Sequence, residues 1–219
     1  MKVEQYFTQE NYDQKVNEWK AILANYYASK RPFTFSMENT ALLIIDMQEY
    51  FVNPQAPAFI PSSRTIIEPI MRLKRAFKDR KNAVYYTQHG FAPTVGKERI
   101  ITRWWKESLK TDNPMYAIAP ELEPENEVVF TKSDYDAFTN NSLALALEKD
   151  GYKRLIITGV LTHLCCESTA RSAFTSDFEV YLPVDCLASY NEDLHLSSLK
   201  VASHGFGIPT SSKELLEGM

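Results

Sequence analysis

The sequence predicts an α/β protein built on an open parallel sheet with helices over both faces. Strongly apolar, β-branched runs recur along nearly the whole chain. Segments of helical spacing lie between them, and such alternation gives a parallel sheet with right-handed crossovers. The runs are continuous rather than alternating, which suits strands with no wet face.

Taken in order, residues Gln9 to Ser29 place Val16, Trp19, Leu23 and Tyr26 at helical spacing. This is an extra amphipathic helix, packed outside the sheet or against a partner subunit. Strands are expected at Thr40–Asp46, Asn82–Thr87, Glu127–Thr131, Arg154–Gly159 and Glu179–Val184, with a short sixth near Gly207–Thr210. Between the first two, Ile66, Ile70, Leu73 and Phe77 share one helical face. Leu143 and Leu147 form a second such face before Gly151, a plausible C-terminal stop. Cys166, Ala170, Ala173 and Phe174 form a third after the fourth strand. The expected architecture is a three-layer α-β-α sandwich, Rossmann-like, on six parallel strands in the order 3-2-1-4-5-6. Residues 1–36 form an N-terminal helical arm and residues 37–219 one domain, within the roughly 250 residues that a single core sustains.

Composition narrows the function. With 24 Lys and Arg against 28 Asp and Glu, the net charge of −4 gives no general basic field to attract nucleic acid. No stretch approaches the roughly 20 apolar residues that span a bilayer, and the first residues lack a signal-peptide core. Three cysteines, two of them adjacent, make no disulfide framework and read as reduced thiols in a cytoplasmic chain.

In an open parallel sheet, ligands bind beyond the carboxyl ends of the strands. Four such ends carry reactive residues: Asp46 after the first, Gln88 and His89 after the second, Lys132 after the third and Cys165 shortly after the fourth. An isolated Asp46 also reads as a helix N-cap or turn carboxylate. An isolated Lys132 also reads as a stem packed on the sheet edge. Together they suit a general base beside a fixed positive charge that stabilises a developing anion. Cys165 stands where the helix pattern begins, and a helix N-terminus favours thiolate. The competing reading is a small buried core thiol, which fits Cys166 and Cys186 well. Gln48, Phe51, His89, Trp104, Trp105 and Tyr135 fall in segments placed to overhang the site. The tryptophans suit a subunit interface equally well. His163 is expected to orient the nucleophile turn and His195 to be structural.

The strings ALLIIDMQEYF, VVFTKSDYDAF and IITGVLTHLCCESTARSAF resemble, in order and spacing, the three signatures of the isochorismatase-like hydrolases. The resemblance runs from about Glu38 to the C-terminus. It implies Asp46 as acid–base carboxylate, Lys132 as catalytic lysine and Cys165 as nucleophile. It also implies a cis peptide between Val160 and Leu161, and an oxyanion hole from the amides of Leu161 and Cys165. Two features depart from the family's branches. Nicotinamidases hold a metal through an Asp-x-His pair and a further His, whereas this chain offers only His89 after its second strand, so no metal and no cofactor are expected. The overall text is closest to bacterial isochorismatases, yet these carry glycine where Cys165 stands.

The expectation is therefore a cysteine hydrolase cleaving a small amide, ureide or carbamoyl compound. The alternatives are a vinyl-ether hydrolase using Asp46 as acid, and an idle binding or assembly subunit. The partners expected are a small-molecule substrate and, through family resemblance and the apolar face of the N-terminal helix, further copies of the chain as a dimer or higher oligomer. Neither nucleic acid nor membrane is expected.

Overall fold

The computed structural model describes residues 2–27, 33–92, 99–139 and 141–219. It is a parallel sheet flanked by helices, with strands β1 (Thr40–Ile45), β2 (Val84–His89), β3 (Val128–Lys132), β4 (Arg154–Val160), β5 (Glu179–Pro183), β6 (Leu187–Ala188) and β7 (Ile208–Thr210). The main path runs β3-β2-β1-β4-β5-β7, and β6 pairs with β4 beyond the end of β5. The expected order is found, with the Gly207–Thr210 run as its sixth place. The seventh strand is the two-residue β6, too short to show any period in the sequence.

All six residues of β1 are buried, as expected of a central strand. β3 departs from that expectation. It lies at the sheet edge, and Val128 is 51% exposed. Helix α3 (Ser63–Asp79) buries Ile66, Ile70, Leu73 and Phe77 against the sheet, and α5 (Ser142–Lys149) buries Leu143 and Leu147. Helix α6 (Glu167–Thr175) buries Ala170 and Ala173, but Phe174 stands outside the buried face. Each fully buried Ile, Leu or Phe contributes about 1.5–3 kcal/mol through the water it no longer orders. Short helices α2 (Glu49–Val52) and α4 (Ile100–Trp105) lie in the loops after β1 and β2. Among the described residues no helix is long and apolar enough to cross a membrane.

The N-terminal helix α1 (Tyr12–Leu23) is shorter than its sequence pattern, so Trp19 and Leu23 are buried while Tyr26 is exposed. Its segment is laced into the body rather than laid over it. Glu4 N donates to Tyr190 O at 2.8 Å, Ser189 N donates to the Tyr6 hydroxyl at 2.9 Å, and the Trp19 indole donates to Glu192 at 2.7 Å. Glu192 opens helix α7 (Glu192–Gly205), and α8 (Ser212–Glu217) closes the chain with a Ser211–Glu214 capping box.

At Gly159 the backbone of β4 packs against the Ile45 backbone of β1. The φ of Gly159 is +108°, and a Cβ there would lie 2.0 Å from the Ile45 carbonyl oxygen. Gly159→Ala is therefore expected to destabilise the fold by about 3 kcal/mol or more, read as a lowered urea midpoint. An unchanged midpoint would show that the strands separate freely there.

Candidate active site

Strand register brings the reactive residues to one end of the sheet. Ile45 lies opposite both Thr87 and Gly159, and His89 lies opposite Lys132. Asp46 therefore leaves β1 between two strand ends, and its backbone takes a left-handed turn with φ +50°. A non-glycine residue at such φ is uncommon and concentrates at functional sites. The Asp46 amide donates to Thr87 O at 3.2 Å.

Both carboxylate oxygens of Asp46 are engaged. Oδ1 accepts from the Thr87 hydroxyl at 2.6 Å, and Oδ2 accepts from Lys132 Nζ at 2.6 Å. Lys132 Nζ also donates to Asp134 O at 3.0 Å. Both side chains of this ion pair are buried. Burial pulls the Lys132 pKa down, yet Asp46 and Cys165 together outweigh it and hold the ammonium above its ordinary value. Lys132 is therefore a permanent charge rather than a proton donor at neutral pH.

Cys165 sits in a wide helical turn, Thr162–Cys166, that leads into α6. Cys166 N donates to Leu161 O at 3.2 Å, five residues back, which marks π-type winding of a kind frequent at functional sites. The Val160–Leu161 peptide just before the turn is cis. The Cys165 thiol lies within electrostatic reach of both Asp46 and Lys132. Burial pushes the thiol up to about 12; Lys132 opposes this and Asp46 adds to it. The thiolate expected from helix position alone is thus corrected: at neutral pH the resting sulfur is a neutral thiol. Cys166 and Cys186 are buried and free.

The turn is braced from behind. The Thr162 hydroxyl pairs with His195 Nδ1 at 2.9 Å, and His163 Nδ1 pairs with the Ser189 hydroxyl at 2.6 Å. His195 is fully buried against Trp19 and Tyr6, and burial holds its pKa down to about 3, so the ring is neutral. Both histidines thus support the turn, as the sequence suggested.

Cys165 forms the floor of a cavity of about 220 Å³. Its walls include Phe51, His89 and Tyr135, as expected, together with Tyr50, Trp105 and Tyr190. The buried Nδ1 of His89 has no hydrogen-bond partner among the described residues, and it lines the cavity. Burial, and then the Lys132 charge, lowers the pKa of His89, so its imidazole is neutral at pH 7. Leu161 also lines this space.

Two expected wall residues do not reach the cavity. Trp104 is 75% exposed and lies outside it, while the neighbouring Trp105 takes the wall and donates its indole N–H to the Tyr135 hydroxyl at 2.6 Å. Successive helical residues point about 100° apart, so only one of the pair can face inward. Gln48 is fully buried and spends its amide on the backbone. Nε2 donates to His89 O and Tyr116 O, and Oε1 accepts from His89 N. It clamps the ends of β1 and β2 instead of meeting a ligand. Sequence reasoning missed Thr87, Tyr50, Glu107 and Tyr190. Only Thr87, a hydroxyl closing an apolar strand beside Asp46, left a readable sign.

The donor set fits no metal of the nicotinamidase kind. Among the described residues no three His, Cys, Asp or Glu side chains gather as ligands. Thr87, two positions before His89, carries no carboxylate and donates its hydroxyl to Asp46 Oδ1 at 2.6 Å.

A parallel sheet covered by helices carries a buried Asp–Lys–Cys cluster at its carboxyl end, beside a pocket rich in aromatic side chains, and the chain is a hydrolase of the α/β class. The chain belongs to the isochorismatase family: residues 40–214 match the family model of the Isochorismatase domain. It is 31% identical to enterobactin synthase component B of Escherichia coli K12 over 189 residues, which are 86% of this chain and 66% of that protein. It thus spans just under two thirds of that relative's length. It is 33% identical to nicotinamidase 3 of Arabidopsis thaliana over 172 residues, 76% of this chain and 81% of that one. Among solved structures it resembles a cysteine hydrolase from Pseudomonas syringae pv. phaseolicola 1448A. The TM-score is 0.82 at 22% identity, covering 87% of this chain and 98% of that one, a likeness of fold.

Proposed function

We propose that the protein is a cysteine hydrolase that cleaves the C–N bond of a small amide, ureide or carbamoyl compound through a thioester on Cys165. The observation that carries this reading is the Cys165 sulfur on the cavity lining, within electrostatic reach of the buried Asp46–Lys132 pair.

The neutral resting thiol sets the order of events. As Sγ attacks the carbonyl carbon, its proton passes to Asp46, so that free thiolate need not accumulate. The developing oxyanion lies against the amides of Leu161 and Cys165, while Lys132 keeps its charge and balances the site. Protonated Asp46 then gives that proton to the departing nitrogen, and the C–N bond breaks to leave the thioester. Water, deprotonated by Asp46, attacks the thioester carbon; the C–S bond breaks and the proton returns to sulfur. His89 Nδ1 holds the substrate from the side. No step passes through a metal.

The wall chemistry argues against the vinyl-ether alternative in its usual form. Isochorismate carries two carboxylates, and among the described residues the cavity lining contains no lysine or arginine to receive them. The free, buried state of all three cysteines suits the reducing cytosol expected from the sequence.

Incubation with a panel of small amides, quenched in acid, tests the reading by intact mass. A covalent acyl adduct mapped to Cys165 is expected. Turnover of an amide under single-turnover conditions with no adduct at any time would overturn it.

A further inference from the structure

The cavity's charge is as one-sided as its shape. Its walls are largely apolar, with the rings of Tyr50, Trp105 and Tyr190 among them, and Glu107 is the one acidic side chain on the lining among the described residues. Glu107 follows α4, and its Oε2 accepts from the Tyr50 hydroxyl at 3.2 Å. Burial, and then the Glu107 charge, raises the Tyr50 phenol to about 12. The Tyr190 phenol lies within electrostatic reach of both the Cys165 sulfur and the Glu107 carboxylate. At the floor, the Lys132 charge is already matched by Asp46 at 2.6 Å. Among the described lining residues, the uncompensated charge that a ligand meets is therefore negative, and it shares the lining with the nucleophile.

We propose that the site selects an amide or ureide that bears a cationic nitrogen, with its carbonyl on Cys165 and its cation between Glu107 and the rings of Tyr50, Trp105 and Tyr190. The proposal rests on the acyl-transfer reading only for the placement of the carbonyl. Aromatic faces carry the negative end of the ring quadrupole and attract ammonium groups, more strongly as water is excluded. A carboxylate at the same place adds direct attraction, whereas an anionic ligand would be repelled there. Quaternary ammonium groups suit such a place well, since they need no hydrogen-bond acceptor and present a broad apolar surface to the rings.

Two amides of the same shape test this. (Trimethylammonio)acetamide carries the cation, and 3,3-dimethylbutanamide replaces its nitrogen with carbon. Binding is measured by calorimetry to Cys165→Ala, which cannot react, and to Cys165→Ala with Glu107→Gln. Ammonia release by the unaltered protein is followed in parallel. The cationic amide is expected to bind about tenfold more tightly. Glu107→Gln is expected to bring the two amides to within about threefold of each other. Equal or tighter binding of the neutral amide overturns the proposal, as does a preference that survives Glu107→Gln, or failure of both amides to bind. Preferential binding of the cation without ammonia release leaves the proposal standing and defeats the acyl-transfer reading instead.

Discussion

Cys165→Ala is expected to lower amide turnover by on the order of 10⁴-fold or more while the protein stays folded. The sulfur is the atom to which the acyl group is bonded, and no second nucleophile replaces it: Cys166 is fully buried one position along. Removing one sulfur from this wide turn changes stability by about 1 kcal/mol. Ammonia release and thermal melting read the two effects separately. Residual activity within tenfold of the unaltered protein would remove Cys165 from the chemistry. Because burial pushes its thiol up to about 12, the rate is also expected to show no rise between pH 7 and 9 from free thiolate forming. A rising limb centred near the ordinary cysteine value would show that the resting sulfur is exposed to water.

Asp46→Asn is expected to reduce both rate and stability. The rate falls by on the order of 10³-fold or more, since the amide can neither take the thiol proton nor return it to the leaving nitrogen. Stability falls by about 3–5 kcal/mol, because Lys132 is left as a buried ammonium without its counter-charge. The sign of the pH effect follows from the raised Lys132 pKa. The pair's contribution is fully present below the ordinary lysine value near 10.5 and is lost only as strong alkali strips the proton. Urea unfolding of Asp46→Asn with Lys132→Met separates the two roles. The double variant is expected to regain much of the lost stability and none of the lost rate. A double variant as unstable as the single one would show that the pair is not what the charge supports.

The central strands were legible because β-branched runs buried on both faces leave no other interpretation, and β1, β4 and β5 fall within a residue of their expected bounds. β6 was not, because two residues carry no period. The exposed side of β3 was hidden too, since Val-Val-Phe reads alike at an edge and in the centre. Asp46, Lys132 and Cys165 were legible through topology: parallel strands send their carboxyl ends to one place. The walls were not. Tyr50, Glu107 and Tyr190 lie in separate segments of the chain and become neighbours only after folding. Gln48 was misplaced because its partners, the backbone at His89 and Tyr116, arrive from 41 and 68 positions away. The choice between Trp104 and Trp105 depends on the rotation of a single short helix, which two adjacent identical residues do not record.

The lacing of the N-terminal segment to Ser189, Tyr190 and Glu192 has a consequence in time. The Tyr6 hydroxyl finds its partner amide 183 positions later. At roughly 5–20 residues per second, that partner leaves the ribosome on the order of ten to forty seconds afterwards. Through that interval Trp19 lacks the Glu192 and His195 contacts that enclose it, and the Cys165 turn lacks its brace. The pocket is thus finished when some of the first-made residues of this sequence meet some of the last.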